Sequence, residues 1–538
     1  MPDTPHRSLR LDDLLEGWRT RAADRPIFVD NGRGLTMAEF DQLVAASAAW
    51  LVRHGIGAGD CVAVWLLNRV EWLALLFAAA RLGTRIAAVN TRYRAFELEH
   101  ILATSQARML ILQQRQDRFD PISVLDGVDR ERTGGLEAVA ILGDSGPPAI
   151  AGYTTIGFQP NDEPIAEPPG ADRTSDPDAP LAFFTTSGTT SAPKLVTHPQ
   201  RTLALHALAC AASFGFDREG AALLAALPLC GVFGLNPVLA AIAGGAPVHI
   251  MPAFAARPAS DRIAANAITH LFGSDELFRR LCEEGMEKLR SLRYCGFAAF
   301  SPGAASAMRE GAERGLPLAG VYGSSEVNAL FAGQAIDFPL EERLKGGGRP
   351  SLGAEGEVRV RDPDSRALLE AGRQGELVIR APTSFIGYHN NPQATGRAVD
   401  GEGFFRTGDV GYLRPDGSFV FIARGGDAIR LAGFLVDPVE IEDALKSISG
   451  IGDAQVVGVD NEGRMRPVAF VTTAAQGAAL DEQAVIGAAR DRLADFKVPL
   501  RVIEVEAFPT TDSANGVKVQ KGKLREMAKA ALARQSGG

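Results

Sequence analysis

Cysteine is scarce in this chain of 538 residues: five occur, Cys61, Cys210, Cys230, Cys282 and Cys295, and no two form a C-x-x-C pair. That scatter speaks against a disulfide framework and reads as buried thiols in a reducing, cytoplasmic setting. The eight histidines are equally dispersed, with no pair at metal-ligand spacing. Positive charge is in deficit. Lys and Arg total 56 against 65 acidic residues, a net charge of −9, which leaves no broad basic surface for a nucleic-acid partner. No charged-then-apolar leader opens the chain. Residues 220–256 carry no formal charge with histidine neutral, but Pro228, Pro237, Gly244, Gly245 and Pro247 interrupt them. No clean membrane-length helix survives those breaks, so a buried core is expected there and no integral membrane association. Internal repeats and long low-complexity tracts are absent as well.

What remains is ordinary globular composition, 46% apolar and 22% charged. The length exceeds what one core organises, so two or more domains are expected. Leu11, Leu14, Leu15 and Trp18 share one helical face. Residues 61–67 form a continuous apolar run, 70–82 have helical length, and 86–89 are apolar again. That is a βαβ unit, whose buried strands imply a parallel sheet covered by helices. The alternation continues to about residue 340. From 346 to 380 it gives way to short alternating strands, clearest at 357–360 and 376–380, as in a small antiparallel or barrel-like unit. Residues 424–427 are the best boundary candidate. Beyond them, 454–459 and 467–472 flank a turn and read as a hairpin. A helix near 481–494, a strand near 500–505, and a terminal helix marked by Leu524, Met527 and Ala531 complete a compact α+β unit.

Chemistry concentrates in six short segments. Residues 184–194 read FTTSGTTSAPK behind an apolar β-type run. Glycine lets backbone approach a phosphate, hydroxyls and amides donate, and Lys194 adds a point charge. The common P-loop spacing fails, since Pro193 stands where its second glycine would be and Leu195 follows the lysine. Residues 321–326, VYGSSE, bring an aromatic, a turn glycine, hydroxyls and a carboxylate together. Residues 403–409 end in Asp409, able to accept from two vicinal hydroxyls. Arg424 closes an apolar strand. Residues 433–442 read as a turn leading into a helix, and 509–518 as a turn-rich loop holding Lys518. Each alone has a structural explanation, such as core packing, capping or a solvated basic face.

In this order the six segments closely resemble the adenylate-forming superfamily of acyl-CoA synthetases, nonribosomal adenylation domains and luciferases, over nearly the whole chain. The resemblance implies an α/β fold. A large N-terminal domain, residues 1–424, would hold two βαβ-type sheets plus a small β-barrel. A small mobile α+β domain, residues 425–538, would follow, with Gly426 and Gly433 at the hinge and CoA side. Thr186, Ser187, Gly188, Thr189, Thr190, Ser191 and Lys194 would hold the β- and γ-phosphates of ATP. Tyr322 would lie near adenine, Ser325 would contact the α-phosphate, and Glu326 would hold Mg²⁺. Asp409, with Arg424 beside it, would bind the ribose. Lys518 would reach the cleft in the first half-reaction, with Lys521 as the other candidate. Gly231, Phe233, Phe300 and Gly323 would border the acid.

Several positions depart from the family pattern. Ser191 replaces a glycine, Ser325 a threonine, and Arg430 a lysine, while Gly426 stands where Asp or Lys is common. Gly516 precedes Lys518 with Val517 between them, where the pattern has glycine adjacent. Gly231 stands where amino-acid-activating relatives carry aspartate. A substrate ammonium would be left unpaired beside it, so a neutral acyl or aryl acid is favoured. The expectation is an AMP-forming acid–thiol ligase using ATP, Mg²⁺ and coenzyme A on a small carboxylic acid, with a homodimer left open. The alternatives are a ligase that loads a carrier-protein phosphopantetheine and a degenerate nucleotide- or acyl-binding protein.

Overall fold

In a computed structural model of the chain, the described residues are all but 1–7, 22–23, 115–119, 144–145, 161–174, 187–192, 299–303, 364, 426–428, 432–433, 437, 462–463, 475–479, 492, 494–496, 514–515 and 536–538. Packing divides the chain into two compact units. The first comprises Met1–Ala298, Glu310–Glu357 and Ile379–Phe405; the second comprises Ala299–Arg309, Val358–Val378 and Arg406–Gly538.

The first unit contains two sheets. One runs in the order Gly387–Tyr388, Leu195–Pro199, Pro180–Thr185, Arg85–Ala88, Cys61–Trp65, Met109–Gln113, Ala138–Leu142 and Thr154–Gly157. The expected βαβ unit is there: Cys61–Trp65 and Arg85–Ala88 pair in parallel around helix Val70–Leu82. Every residue of Cys61–Trp65 is buried, as a strand covered on both faces must be. Gly83, at φ 70°, ends the helix in the left-handed conformation that glycine adopts without penalty. The other sheet lines up Arg33–Thr36, Pro26–Asp30, Val248–Ile250, Leu223–Ala225, His270–Ser274, Tyr294–Ala298, Leu318–Ser324, Asn328–Gly333 and Gly346–Pro350.

The N-terminal apolar face forms a 3₁₀ turn, Leu11–Leu15, and a short helix, Glu16–Arg21. Leu11, Leu14, Leu15 and Trp18 are all buried, and the Trp18 indole donates to the Ile242 carbonyl at 2.9 Å. The charge-free stretch is core, as expected, but Pro237 does not interrupt it: helix Val232–Gly244 runs through that residue. Proline there forfeits only one helical donor, and close burial on every side holds the segment in place. Among the described residues no helix is long and apolar enough to cross a membrane.

Burial of imidazoles in this unit has a measurable consequence. His198, His206 and His270 are inside, and desolvation lowers each ring from its usual range to about 4. An unfolded chain would protonate them near pH 6.5, whereas the folded chain resists until about pH 4. Stability from these groups is therefore complete above pH 6.5 and is lost as pH falls toward 4. Thermal melts should show the unit losing roughly 1 kcal/mol per histidine between pH 7 and 5.5. A melting temperature flat across that window would contradict the burial.

In the second unit, residues 358–361, 375–378, 406–413 and 419–424 lie in neighbouring strands. Further along, Ile451–Asn461 and Arg464–Thr473 form the expected hairpin, extended by Arg501–Glu504 in parallel. The helix expected within 433–442 is there, Pro438–Lys446, but what leads into it is strand Phe434–Val436, paired with Ile429–Leu431. The terminal helix, Lys521–Gln535, buries Leu524 and Ala528 fully, while Met527 is 36% exposed. Leu532 packs beside them, so the inner stripe runs 524, 528, 532. This corrects the expected stripe through Met527. A spacing of four keeps a short helix's face aligned on this small core, and alanine fits there better than methionine.

Candidate active site

The phosphate-loop candidate connects two antiparallel strands, Pro180–Thr185 and Leu195–Pro199, with Thr185 opposite Leu195. Its neck is closed twice. The Thr186 N–H donates to the Lys194 carbonyl at 3.0 Å, and the Lys194 N–H donates to Thr186 Oγ1 at 3.2 Å. His100 Nε2 meets the Pro193 carbonyl at 2.8 Å, anchoring the loop's exit. Ser187, Gly188, Thr189, Thr190 and Ser191 lie outside the described residues.

The VYGSSE motif sits on a tight hairpin. Strands Leu318–Ser324 and Asn328–Gly333 pair with Ser324 opposite Asn328, leaving Ser325, Glu326 and Val327 at the tip. At Gly323 a Cβ would lie 2.4 Å from the Asn328 carbonyl oxygen, so only glycine fits beneath the turn. Tyr322 is buried, 6% exposed. Ser325 Oγ donates to the Thr185 carbonyl at 3.3 Å, which joins the hairpin tip to the base of the candidate loop. His198 Nε2 contacts the Ser325 carbonyl at 2.7 Å. Burial keeps this imidazole neutral, so Nε2 carries the proton and donates. Glu326 is held at both ends: its carbonyl accepts from the Phe385 N–H at 2.7 Å, and Oε1 accepts from the Tyr388 hydroxyl at 2.8 Å. Lys194 Nζ lies 4.8 Å from the Tyr388 ring centroid. Thr186, Lys194, Ser325 and Glu326 thus form one connected set.

A carboxylate of this kind suits a hard divalent cation. Among the described residues no group of three or more His, Cys, Asp or Glu gathers to hold a metal. A single carboxylate oxygen donor supplemented by phosphate oxygens is how Mg²⁺ is commonly bound, so Glu326 fits the ion without a protein cage.

Beside this set, Gly231 caps helix Val232–Gly244, and Phe233 in its first turn is buried. Asn68 holds the preceding loop: its amide donates to the Leu227 carbonyl at 2.8 Å, and its oxygen accepts from the Leu229 N–H at 2.8 Å. The same helix reaches the VYGSSE hairpin through Asn236, which donates to the Ala329 carbonyl at 3.1 Å. The two glycines of this segment differ. A Cβ on Gly231 would meet nothing nearer than 3.9 Å, whereas one on Gly234 would fall 2.0 Å from the Pro228 carbonyl oxygen. Gly234→Ala should therefore cost roughly 1–3 kcal/mol, while Gly231→Ala should lower the melting temperature far less. Equal melting losses in both variants would refute the distinction. Phe300 lies outside the described residues.

In the second unit, Asp409 and Arg424 face each other across adjacent strands. Arg424 Nε lies 3.1 Å from Asp409 Oδ1, and its Nη1 donates to the Thr407 carbonyl at 3.2 Å. Asp409 is 4% exposed, and its N–H donates to Thr407 Oγ1 at 2.9 Å. Gly408, at φ 68°, bends the strand so that its carbonyl accepts from the Gly425 N–H. Gly426 and Gly433 lie outside the described residues.

Lys518 is not in a loop. It belongs to strand Gly516–Val519 of a hairpin with Thr510–Ser513, opposite Thr511. Lys521, the other candidate, opens the terminal helix and forms an ion pair with Glu442 Oε1. Its ammonium also donates to the Val456 carbonyl at 3.1 Å. Sequence reading missed His198, Asn68 and Tyr388. No motif marks a lone polar residue whose partner lies more than sixty positions away, although Tyr388 does follow a glycine at a strand start.

Known proteins resemble this chain over most of its length. The model of the AMP-binding enzyme family matches residues 15–389, and that of the AMP-binding enzyme C-terminal domain matches residues 440–515. A 2-succinylbenzoate–CoA ligase of Geobacillus kaustophilus is 31% identical over 483 residues, 89% of this chain and 91% of its own. A fatty acid–[acyl-carrier-protein] ligase, ScoC, of Streptomyces coeruleorubidus is 30% identical over 512 residues, 93% of each chain. Among solved structures, ATP-bound MatB from Rhodopseudomonas palustris superposes with a TM-score of 0.79 at 25% identity, covering 97% of this chain and 99% of its own.

Proposed function

The chain belongs to the AMP-binding enzyme family, and on that premise we propose that it is an ATP-dependent acyl-CoA synthetase acting on a neutral acyl or aryl carboxylic acid. The observation that carries the reading is the joining of the hairpin tip to the phosphate-loop neck, through Ser325 to Thr185 and through Tyr388 to Glu326 and Lys194.

The first half-reaction requires a carboxylate oxygen to attack the α-phosphorus of ATP while pyrophosphate leaves. Two anions must approach, and repulsion dominates the barrier. Lys194 and the donors around 186–191 would receive the β- and γ-phosphates and stabilise the departing charge. A bound Mg²⁺, held by Glu326, supplies charge neutralisation at the phosphates. Asp409 would take the ribose hydroxyls, its carboxylate already kept in place by Arg424. Lys518 would set the attack geometry by reaching carboxylate and α-phosphate together. Its nearest rival, Lys521, is committed to Glu442, which supports this assignment. In the second half-reaction the thiolate of coenzyme A attacks the acyl carbon of the mixed anhydride, and AMP leaves. The reading takes residues 425–538 as the mobile part, turning at Gly426 between the two steps.

Glycine at position 231 adds neither bulk nor a counter-charge for an ammonium, which supports a neutral acid. Five thiols that are buried and free support a cytoplasmic location. The kinship with a carrier-protein ligase favours one second reading, in which the acyl group passes to a phosphopantetheine arm. Incubation with ATP, Mg²⁺ and an acid panel, with and without coenzyme A, separates the two. Pyrophosphate together with acyl-CoA supports the synthetase, and pyrophosphate alone supports carrier loading. Neither product with any acid would refute both.

A further inference from the structure

We propose that Tyr388 is the positioning residue of the site, fixing the cation-binding carboxylate and the phosphate-binding lysine with one side chain; this rests on the ATP- and Mg²⁺-dependent reading above. Its hydroxyl donates to Glu326 Oε1 at 2.8 Å, and its ring lies under Lys194 Nζ at 4.8 Å. The residue is itself immobilised. Tyr388 pairs with Val196 on the strand that leaves the phosphate loop, and its N–H donates to Thr395 Oγ1 at 2.9 Å. The Phe385 ring meets it edge-on at 5.0 Å, and only 8% of the tyrosine is exposed. Phe385 also binds the Glu326 carbonyl. The segment 385–388 therefore grips both the main chain and the side chain of Glu326.

The choice of a phenol matters. An arginine or lysine at this place would orient the carboxylate but cancel its charge, leaving little for a divalent cation. A neutral O–H occupies one lone pair of Oε1, fixes the carboxylate's rotation, and leaves the second oxygen and the full negative charge to the ion. The ring face, negative in its quadrupole, attracts the Lys194 ammonium without competing for hydrogen bonds that phosphate needs. Tyr388 thus carries two opposite charges on two different parts of one ring. A tyrosine that merely filled space would need only its ring.

Tyr388→Phe keeps the ring and removes the hydroxyl. Manganese titrated into the full chain with α,β-methylene-ATP, followed by electron paramagnetic resonance, should bind ~10-fold more weakly in this variant. The Mg²⁺ concentration for half-maximal acid-dependent ATP–pyrophosphate exchange should rise by the same factor. Saturating Mg²⁺ should restore the rate, with no change in melting temperature. Tyr388→Leu should add an increase in KM for ATP that saturating Mg²⁺ does not repair. Wild-type manganese affinity in Tyr388→Phe overturns the proposal. So does a rate loss that is equal at every Mg²⁺ concentration and accompanied by a lower melting temperature. If the wild-type chain supports no exchange with any acid, the parent reading fails instead, and the manganese titration still decides the role of the hydroxyl.

Discussion

Lys518→Ala should slow acyl-adenylate formation by ~10³-fold while leaving thioester formation from a supplied acyl-adenylate within a few-fold of the wild-type rate. The size follows from the chemistry. When carboxylate and α-phosphate approach, a cation between them interacts more strongly with the crowded transition state than with the separated anions, and that difference is what lowers the barrier. Once the anhydride exists, its acyl carbon needs no such cation. Single-turnover measurements of each half-reaction would separate the two. Equal loss in both would show that Lys518 serves the fold. The neighbouring Lys521 provides the comparison, because its ammonium is committed to Glu442 and the Val456 carbonyl.

That commitment underlies the second large effect, which falls on stability. Glu442 is 3% exposed, and its Oε1 accepts from the Val456 N–H at 2.8 Å as well as from Lys521. Glu442→Ala would strand an ammonium and an amide donor away from water, at a cost of about 3–5 kcal/mol. The double variant Glu442→Leu, Lys521→Met removes both charges and should recover most of it. Hydrogen exchange along strand Ile451–Asn461 is the suitable measurement, since all four tryptophans, Trp18, Trp50, Trp65 and Trp72, lie in the other unit. A loss below 1 kcal/mol in the single variant, or no recovery in the double, would contradict the pairing.

These two lysines also show where sequence reading reaches its limit. Periodicity exposed the βαβ unit at 61–89 and the hairpin at 454–472, because burial on one or both faces dictates residue type position by position. The VYGSSE tip was legible for another reason: glycine is demanded locally, as the clash beneath Gly323 illustrates. Nothing local separates Lys518 from Lys521. The partner that holds Lys521 is a carboxylate 79 positions earlier. His198 was likewise hidden, its partner being a backbone carbonyl 127 positions away. The terminal helix's inner face was placed through Met527 rather than Ala528 because hydrophobicity alone favours methionine, whereas close packing on a narrow core selects the smaller side chain.

The unequal glycines ahead of helix Val232–Gly244 carry an evolutionary implication. Position 234 is frozen, since any substituent would strike main-chain oxygen, whereas position 231 is permissive. Glycine codons lie one base change from those for alanine, valine, serine and aspartate. Under the proposed reading, a lineage descending from this enzyme could change its preferred acid at position 231 in a single mutational step.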